Sequence, residues 1–314
     1  MKNAQRTALA TVILTIFLIA LGAYVRASHS GLGCPDWPTC HGGVVPPNGR
    51  HPIIETSHRY VGTIVGVLVI ATAFLAWRHY RRTPFVLWTA LAAVPLVGIQ
   101  GILGAITVVR ELPPEIVATH LLFAMLVLSC EITVVVAMYL EDPDHLPWAR
   151  SFPRADTRRI GALALASTVW FAGVLWIGGY LAESGGSMAC SGWPTCNGSV
   201  LPSGDHHEIA HMIHRYLAGI LIVFVIPLVV VAWRRRGELS WAAPIAVAAG
   251  VLYAVQVLLG ALDVWYTFPA AVTVSHTAVA ACLWAVLSTA VSLSFYLPVG
   301  EGRVAARVPA AASA

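Results

Sequence analysis

Four histidines carry the chemistry of this 314-residue chain: His58, His120, His214 and His276. His214 follows His58, and His276 follows His120, at the same interval of 156 residues. Each falls in or at the edge of a long apolar run, where an ionisable side chain is costly and marks a functional site. Two imidazoles on facing helices are the minimum that ligates a haem iron from both sides, and bundle cores are where cofactors lodge. A plain hydrogen bond to a neighbouring helix accounts for one such histidine, but not for a pair per repeat in register. Zinc fits less well, because two histidines leave a tetrahedral site half empty.

Beside this symmetry stands a difference. Glu55 precedes His58 by three residues, one turn away on the same face of a helix that extends that far, while the position 156 residues on is His211. The spacing predicts a division of labour. The N-terminal half has an acid near its iron for proton transfer, and the C-terminal half holds a permanent redox centre. Capping of a helix N-terminus by Glu55 is the alternative. Arg59 and Arg215 follow the first histidine of each pair, and two roles stay open for them: binding haem propionates, or anchoring to lipid phosphate. Gln100 and Gln256 are read as interhelical hydrogen-bonding groups. Cys34 with Cys40, and Cys190 with Cys196, are expected as disulfides in an oxidising compartment. Whether the first pair is redox-active or only braces its loop is left open by the spacing. Cys130 and Cys282 read as packing residues.

The elements that position these groups follow from composition. Hydrophobic residues make up 58% and charged residues 11% of the chain, and the mean hydropathy is +0.75. A soluble domain carries about 25% charged residues; this chain must face lipid. Spans of roughly 20 apolar residues are expected at about 7–26, 58–77, 84–106, 116–139, 160–181, 211–233, 241–262 and 270–297. The first is read as a retained helix, since its apolar run exceeds that of a signal peptide. Of the 19 Lys and Arg, only Arg26, Arg50, Arg59, Arg110 and Arg215 fall on the side of the two long loops. That places both termini in the cytoplasm of a multi-pass protein of the bacterial cell membrane, with loops 27–57 and 182–210 outside. The basic residues form no stripe interleaved with aromatics, so nucleic acid is not indicated.

The interval of 156 recurs elsewhere. Cys34-Pro-Asp-Trp-Pro-Thr-Cys40 returns as Cys190-Ser-Gly-Trp-Pro-Thr-Cys196, His58-Arg59-Tyr60 as His214-Arg215-Tyr216, Gln100 as Gln256 and Gly104 as Gly260. The expected fold is an all-α integral membrane protein, its eight transmembrane helices forming two parallel tandem four-helix bundles. The divisions are 1–140 for the N-terminal half, 141–159 for a cytoplasmic linker, 160–297 for the C-terminal half and 298–314 for a cytoplasmic tail, disordered from about 302.

Glu55-x-x-His58, His120, His214, His276 and the paired loop cysteines together resemble the haem A synthases, over about residues 8–297. The resemblance implies an oxidoreductase. Its members oxidise the C8 methyl of haem O to a formyl group by successive hydroxylations, giving haem A for cytochrome oxidase. It implies haem B as cofactor on His214 and His276, and haem O as substrate on His58 and His120. It also makes Glu55 the essential acid and maps the family's cysteine pair onto Cys34 and Cys40. A haem O synthase is the implied partner, beside membrane lipid; the sequence names no electron donor. Two other classes compete with this reading. One is a di-haem b-type cytochrome for quinol-linked electron transfer. The other is a transporter of parallel repeats, which paired helix interruptions at matching positions would favour and which this chain lacks.

Overall fold

The computed structural model describes the backbone of residues 2–141, 154–202 and 204–307, and the side chains of these except 154 and 298–307. Its α-helices are α1 (Lys2–Ala27), α2 (Arg50–Tyr80), α3 (Pro84–Val109), α4 (Pro114–Leu140), α5 (Arg154–Ser184), α6 (His206–Ile220), α7 (Ile222–Arg234), α8 (Ala242–Trp265) and α9 (Ala270–Arg307). Among the described residues, eight spans are long and apolar enough to cross a membrane, with α6 and α7 forming one of them. In lipid every backbone group must be satisfied internally, so apolar runs of this length become helices. Ile13, Val67, Trp88, Val223 and Val251 are exposed, as residues facing acyl chains would be.

Several boundaries differ from those expected. The second span begins at Arg50 rather than 58, the fifth at Arg154 rather than 160, and the sixth at His206 rather than 211. These added turns are polar and show no apolar run, but each has its own support. Residues of the first long loop bond to the start of α2, Asp205 caps α6 by accepting from the His207 amide, and Asp156 in the first turn of α5 pairs with Arg235 at 3.2 Å. The sixth span is interrupted at Leu221, six residues before Pro227. That proline has no N–H to donate and its ring crowds the preceding turn. At the far end α9 continues to Arg307, into the stretch expected as a disordered tail, where Arg303 to Arg307 are good helix formers apart from Val304. The expected linker residues 142–153 and tail residues 308–314 lie outside the described residues.

Helix α1 packs on α2 and α4, and α3 on α2 and α4, so that α2 and α4 stand on a diagonal. In the second repeat α5 packs on α6, α7 and α9, and α8 on α7 and α9. Between the two sets, α1 packs on α9, α5 on α4, and α4 on α9. The apolar stretches of α4 and of Ala270–Leu297 are 50% and 56% buried, against 11% and 17% for α3 and α8, which makes α4 and α9 the central pair. Their contact includes hydroxyl pairs, Ser129 with Ser288 at 3.0 Å and Thr133 with Ser292 at 2.9 Å.

The two long loops follow the same path at the 156-residue interval. Trp37-Pro38 and Trp193-Pro194 are both cis. Cys40 pairs with Gly43 as Cys196 does with Ser199. The Tyr60 and Tyr216 hydroxyls donate to the carbonyls of Val44 and Val200. Both disulfides, Cys34–Cys40 and Cys190–Cys196, are formed.

Candidate functional site

Because α2 and α6 start early, His58 and His214 each lie eight residues inside their helices rather than at the start. That leaves Glu55 within α2 too, in its second turn and 4% exposed, so it does not cap the helix.

Each histidine ring rests against a glycine of the preceding helix. A Cβ added at Gly22 would lie 3.1 Å from His58 Cε1, and one at Gly178 would lie 2.8 Å from His214 Cε1. For Gly104 against His120 and Gly260 against His276 the distances are 3.3 and 3.1 Å. At Gly178 a side chain would force the ring to move, and at the other three the ring would have to give by a few tenths of an ångström. His58 and His120 are near enough for a charge on one to act on the other, and so are His214 and His276. Gln100 Nε2 donates to the His120 carbonyl at 3.0 Å and lies 3.4 Å from its Nε2, and Gln256 Nε2 lies 3.1 Å from His276 Nε2. The glutamines thus bond between helices, as expected, and they do so at the imidazoles. Enclosed Nδ1 atoms of His58, His120 and His276 have no hydrogen-bond partner, whereas His214 Nδ1 is 3.1 Å from the Val174 carbonyl oxygen. Buried imidazoles left short of partners, on diagonal helices and cradled by glycine, suit a ligand that engages ring nitrogen. A haem held from both sides fits them. Among the described residues no three or more His, Cys, Asp or Glu gather to hold a metal ion.

Above the first pair, Glu55 joins the disulfide loop to α2. Its Oε2 accepts the Cys34 amide at 2.8 Å, and its Oε1 pairs with Arg59 Nη2 at 2.5 Å. Arg59 also donates to the carbonyls of Asp36 (2.7 Å), Thr39 (2.6 Å) and Cys34 (3.1 Å). In the second repeat Arg215 donates to the equivalent carbonyls of Gly192 (2.8 Å) and Thr195 (2.9 Å), and its Nη2 is 3.1 Å from His211 Nε2. Both guanidinium groups therefore hold the loops by their backbone. His211 replaces the acid as the arginine's partner.

Loop anchoring differs as well. The Asp36 carboxylate accepts from the Thr39 hydroxyl and the amides of Gly42 and His41, which lowers its pKa to about 2. In the second loop Asn197 Oδ1 accepts from the Ser191 amide and hydroxyl.

The chain matches the model of the COX15-CtaA family, described as cytochrome oxidase assembly protein, over residues 5–288. It belongs to that family. It is 32% identical over 310 residues to the heme A synthase of Symbiobacterium thermophilum, covering 97% of this chain and 99% of that one. To the heme A synthases of Alkalihalophilus pseudofirmus and Bacillus licheniformis it is 29% and 28% identical, over 91% of its own length and 96% and 94% of theirs. Within the COX15-CtaA family frame, sequence reasoning named the four histidines, Glu55 and both glutamines. It missed Gly22 and Gly178, whose signal was the same 156-residue interval, and the buried acids Glu131 and Asp263.

Proposed function

We propose that this protein is a haem A synthase of the cell membrane, with both termini in the cytoplasm and the disulfide loops outside. Its substrate is haem O, whose C8 methyl it oxidises to formyl by successive hydroxylations that end in loss of water. The N-terminal half, residues 1–140, holds the substrate through His58 and His120. The C-terminal half, residues 160–297, holds haem B through His214 and His276. When bound there, haem B supplies one-electron redox chemistry.

One observation carries this division: two repeats with the same histidine cradles and the same arginine-to-loop bonds differ at Glu55 against His211. Arg59 and the Cys34 amide fix the Glu55 carboxylate one turn from His58. There it takes or returns protons as the methyl group is oxidised, whereas His211 offers no carboxylate to the second half. Arg59 and Arg215 act by holding each loop by its backbone carbonyls; with haem bound they would be the cations available to its propionates. The cysteine bridges brace these lids. Haem O reaches the site from a haem O synthase or from the lipid itself.

The test is co-expression with a haem O synthase in a host without haem A, followed by identification of the extracted haems. Haem A or a hydroxylated haem O beside haem B is the expected result. Haem B alone, in twofold molar amount and with haem O available, would mean a di-haem electron-transfer cytochrome.

A further inference from the structure

Midway along α4, far from the loops, Glu131 is 5% exposed. Its Oε1 accepts from Thr15 Oγ1 at 3.0 Å, while the buried Oε2 has no hydrogen-bond partner. The carboxyl lines a cavity of about 10 Å³, shared with Thr11 and Thr72, whose hydroxyls stand 3.4 Å apart. That is room for one water, with polar partners on two sides. No charged side chain faces Glu131 from α1, α2 or α3 among the described residues. Its titratable neighbour is the Cys130 thiol on its own helix, and α9 turns serines toward α4. With no cation to pair with, such a group keeps its proton.

The second repeat shows that packing does not require this arrangement. At the 156-residue interval, Thr15 becomes Phe171, Thr72 becomes Leu228 and Glu131 becomes Leu287, which are 2%, 0% and 0% exposed. The same helical frame is filled there by apolar side chains. A buried acid retained in one half, at a cost in stability, points to use. A file of hydroxyls leads toward it in that half. Thr7, Thr11 and Thr15 recur every four residues on one face of α1, which begins at Lys2. In the other half two of the three are Leu163 and Phe171.

We propose that Glu131 is a proton-binding site, reached from the Lys2 end of α1 past Thr7 and Thr11 through one water in the cavity. The proton passes between Oε2 and that water, and no other bond forms or breaks. It is taken up or released as the haem of the same half changes redox state, a clause that rests on the assignment of a haem to His58 and His120. Glu131 lies eleven residues from His120, about 16 Å along α4, so the coupling is electrostatic rather than by contact.

The experiment is infrared spectroscopy of the purified, haem-loaded protein, oxidised against reduced, in light and heavy water. The expected result is a carboxylic-acid carbonyl band that shifts on reduction, moves in heavy water and is missing in Glu131→Gln. Thr11→Val and Thr72→Val should slow its deuteration several-fold. The paired variant Thr15→Phe with Glu131→Leu, which copies the other half, replaces Glu131→Gln should that variant not fold. Identical wild-type and variant spectra in the carboxylic-acid region overturn the site. A band that ignores reduction, in protein whose visible spectrum shows both haems, overturns the coupling. A visible spectrum with one haem that His58→Ala leaves unchanged instead defeats the haem assignment, while the oxidised wild-type minus variant spectrum still decides the site.

Discussion

The Glu55 carboxylate and the Arg59 guanidinium meet at 2.5 Å one turn apart on α2, both largely buried beneath the first disulfide loop. Arg59 spends its other donors on loop carbonyls, and Glu55 spends its second oxygen on the Cys34 amide. The acid is therefore held by lid and helix together, next to the turn that carries His58. In the repeat, His211 and Arg215 keep the linkage between helix and loop but not the negative charge.

Glu55→Gln keeps an acceptor for the Cys34 amide and removes the proton-transfer group. Haem A formation should fall by about 10²-fold or more, while resident haem B stays at the wild-type amount per protein. Extracted-haem chromatography measures both at once. Undiminished haem A from this variant would end the catalytic role of Glu55.

The histidine cradles make a graded prediction. Gly178→Ala puts a methyl 2.8 Å from His214 Cε1, and Gly104→Ala puts one 3.3 Å from His120 Cε1. Displacing the His214 ring costs about 1–3 kcal/mol, as overpacking does, and it should lower bound haem B and shift its midpoint potential. Gly104→Ala should leave haem B untouched and act on haem A formation only, and more mildly. Redox titration of the two variants compares them; equal effects on haem B would contradict the assignment of one haem to each cradle.

Asp36 makes the first loop acid-sensitive. The Thr39 hydroxyl and the Gly42 and His41 amides hold its pKa at about 2, below the ordinary aspartate value of about 3.9. A depressed carboxylate contributes fully above its unfolded pKa and loses that contribution as pH falls through the folded value. The loop should therefore loosen between about pH 4 and pH 2, and not on the alkaline side. Asn197 anchors the second loop and does not titrate. Hydrogen exchange across residues 36–43 should rise on acidification while residues 192–199 stay level, and Asp36→Asn should abolish the difference.

Much of this was legible in the sequence because lipid imposes a strict rule: spans must be apolar, and functional polar groups inside them stand out. The eight spans and the four histidines inside them follow from that rule, and the repeat from the constant 156-residue interval. The first turns of α2, α5 and α6 do not, since they are held by loop contacts and caps rather than by an apolar run. Nor does the interruption at Leu221, which depends on how the chain accommodates Pro227. Gly22 became meaningful only when the His58 ring was seen lying against it. Glu131 and its counterpart Leu287 stand in the sequence at the 156-residue interval, but the burial of the acid, its bond to Thr15 and its unpaired oxygen needed the packing.

The two histidine pairs, alike in local geometry, should behave unequally on substitution. On the proposed assignment His214→Ala and His276→Ala each remove a ligand of haem B, so haem B and its visible spectrum should be lost together with activity. His58→Ala and His120→Ala should retain haem B at about one per chain and lose haem A formation, because only the exchangeable substrate has been deprived of a ligand. The glycine cradles and glutamines are duplicated and cannot create this inequality; the Glu55/His211 difference and the occupant of each half must. Four single variants, each assayed for haem content and for haem A after co-expression with a haem O synthase, settle it. Equal loss of haem B from all four would make both halves permanent haem sites and turn the reading toward an electron-transfer cytochrome.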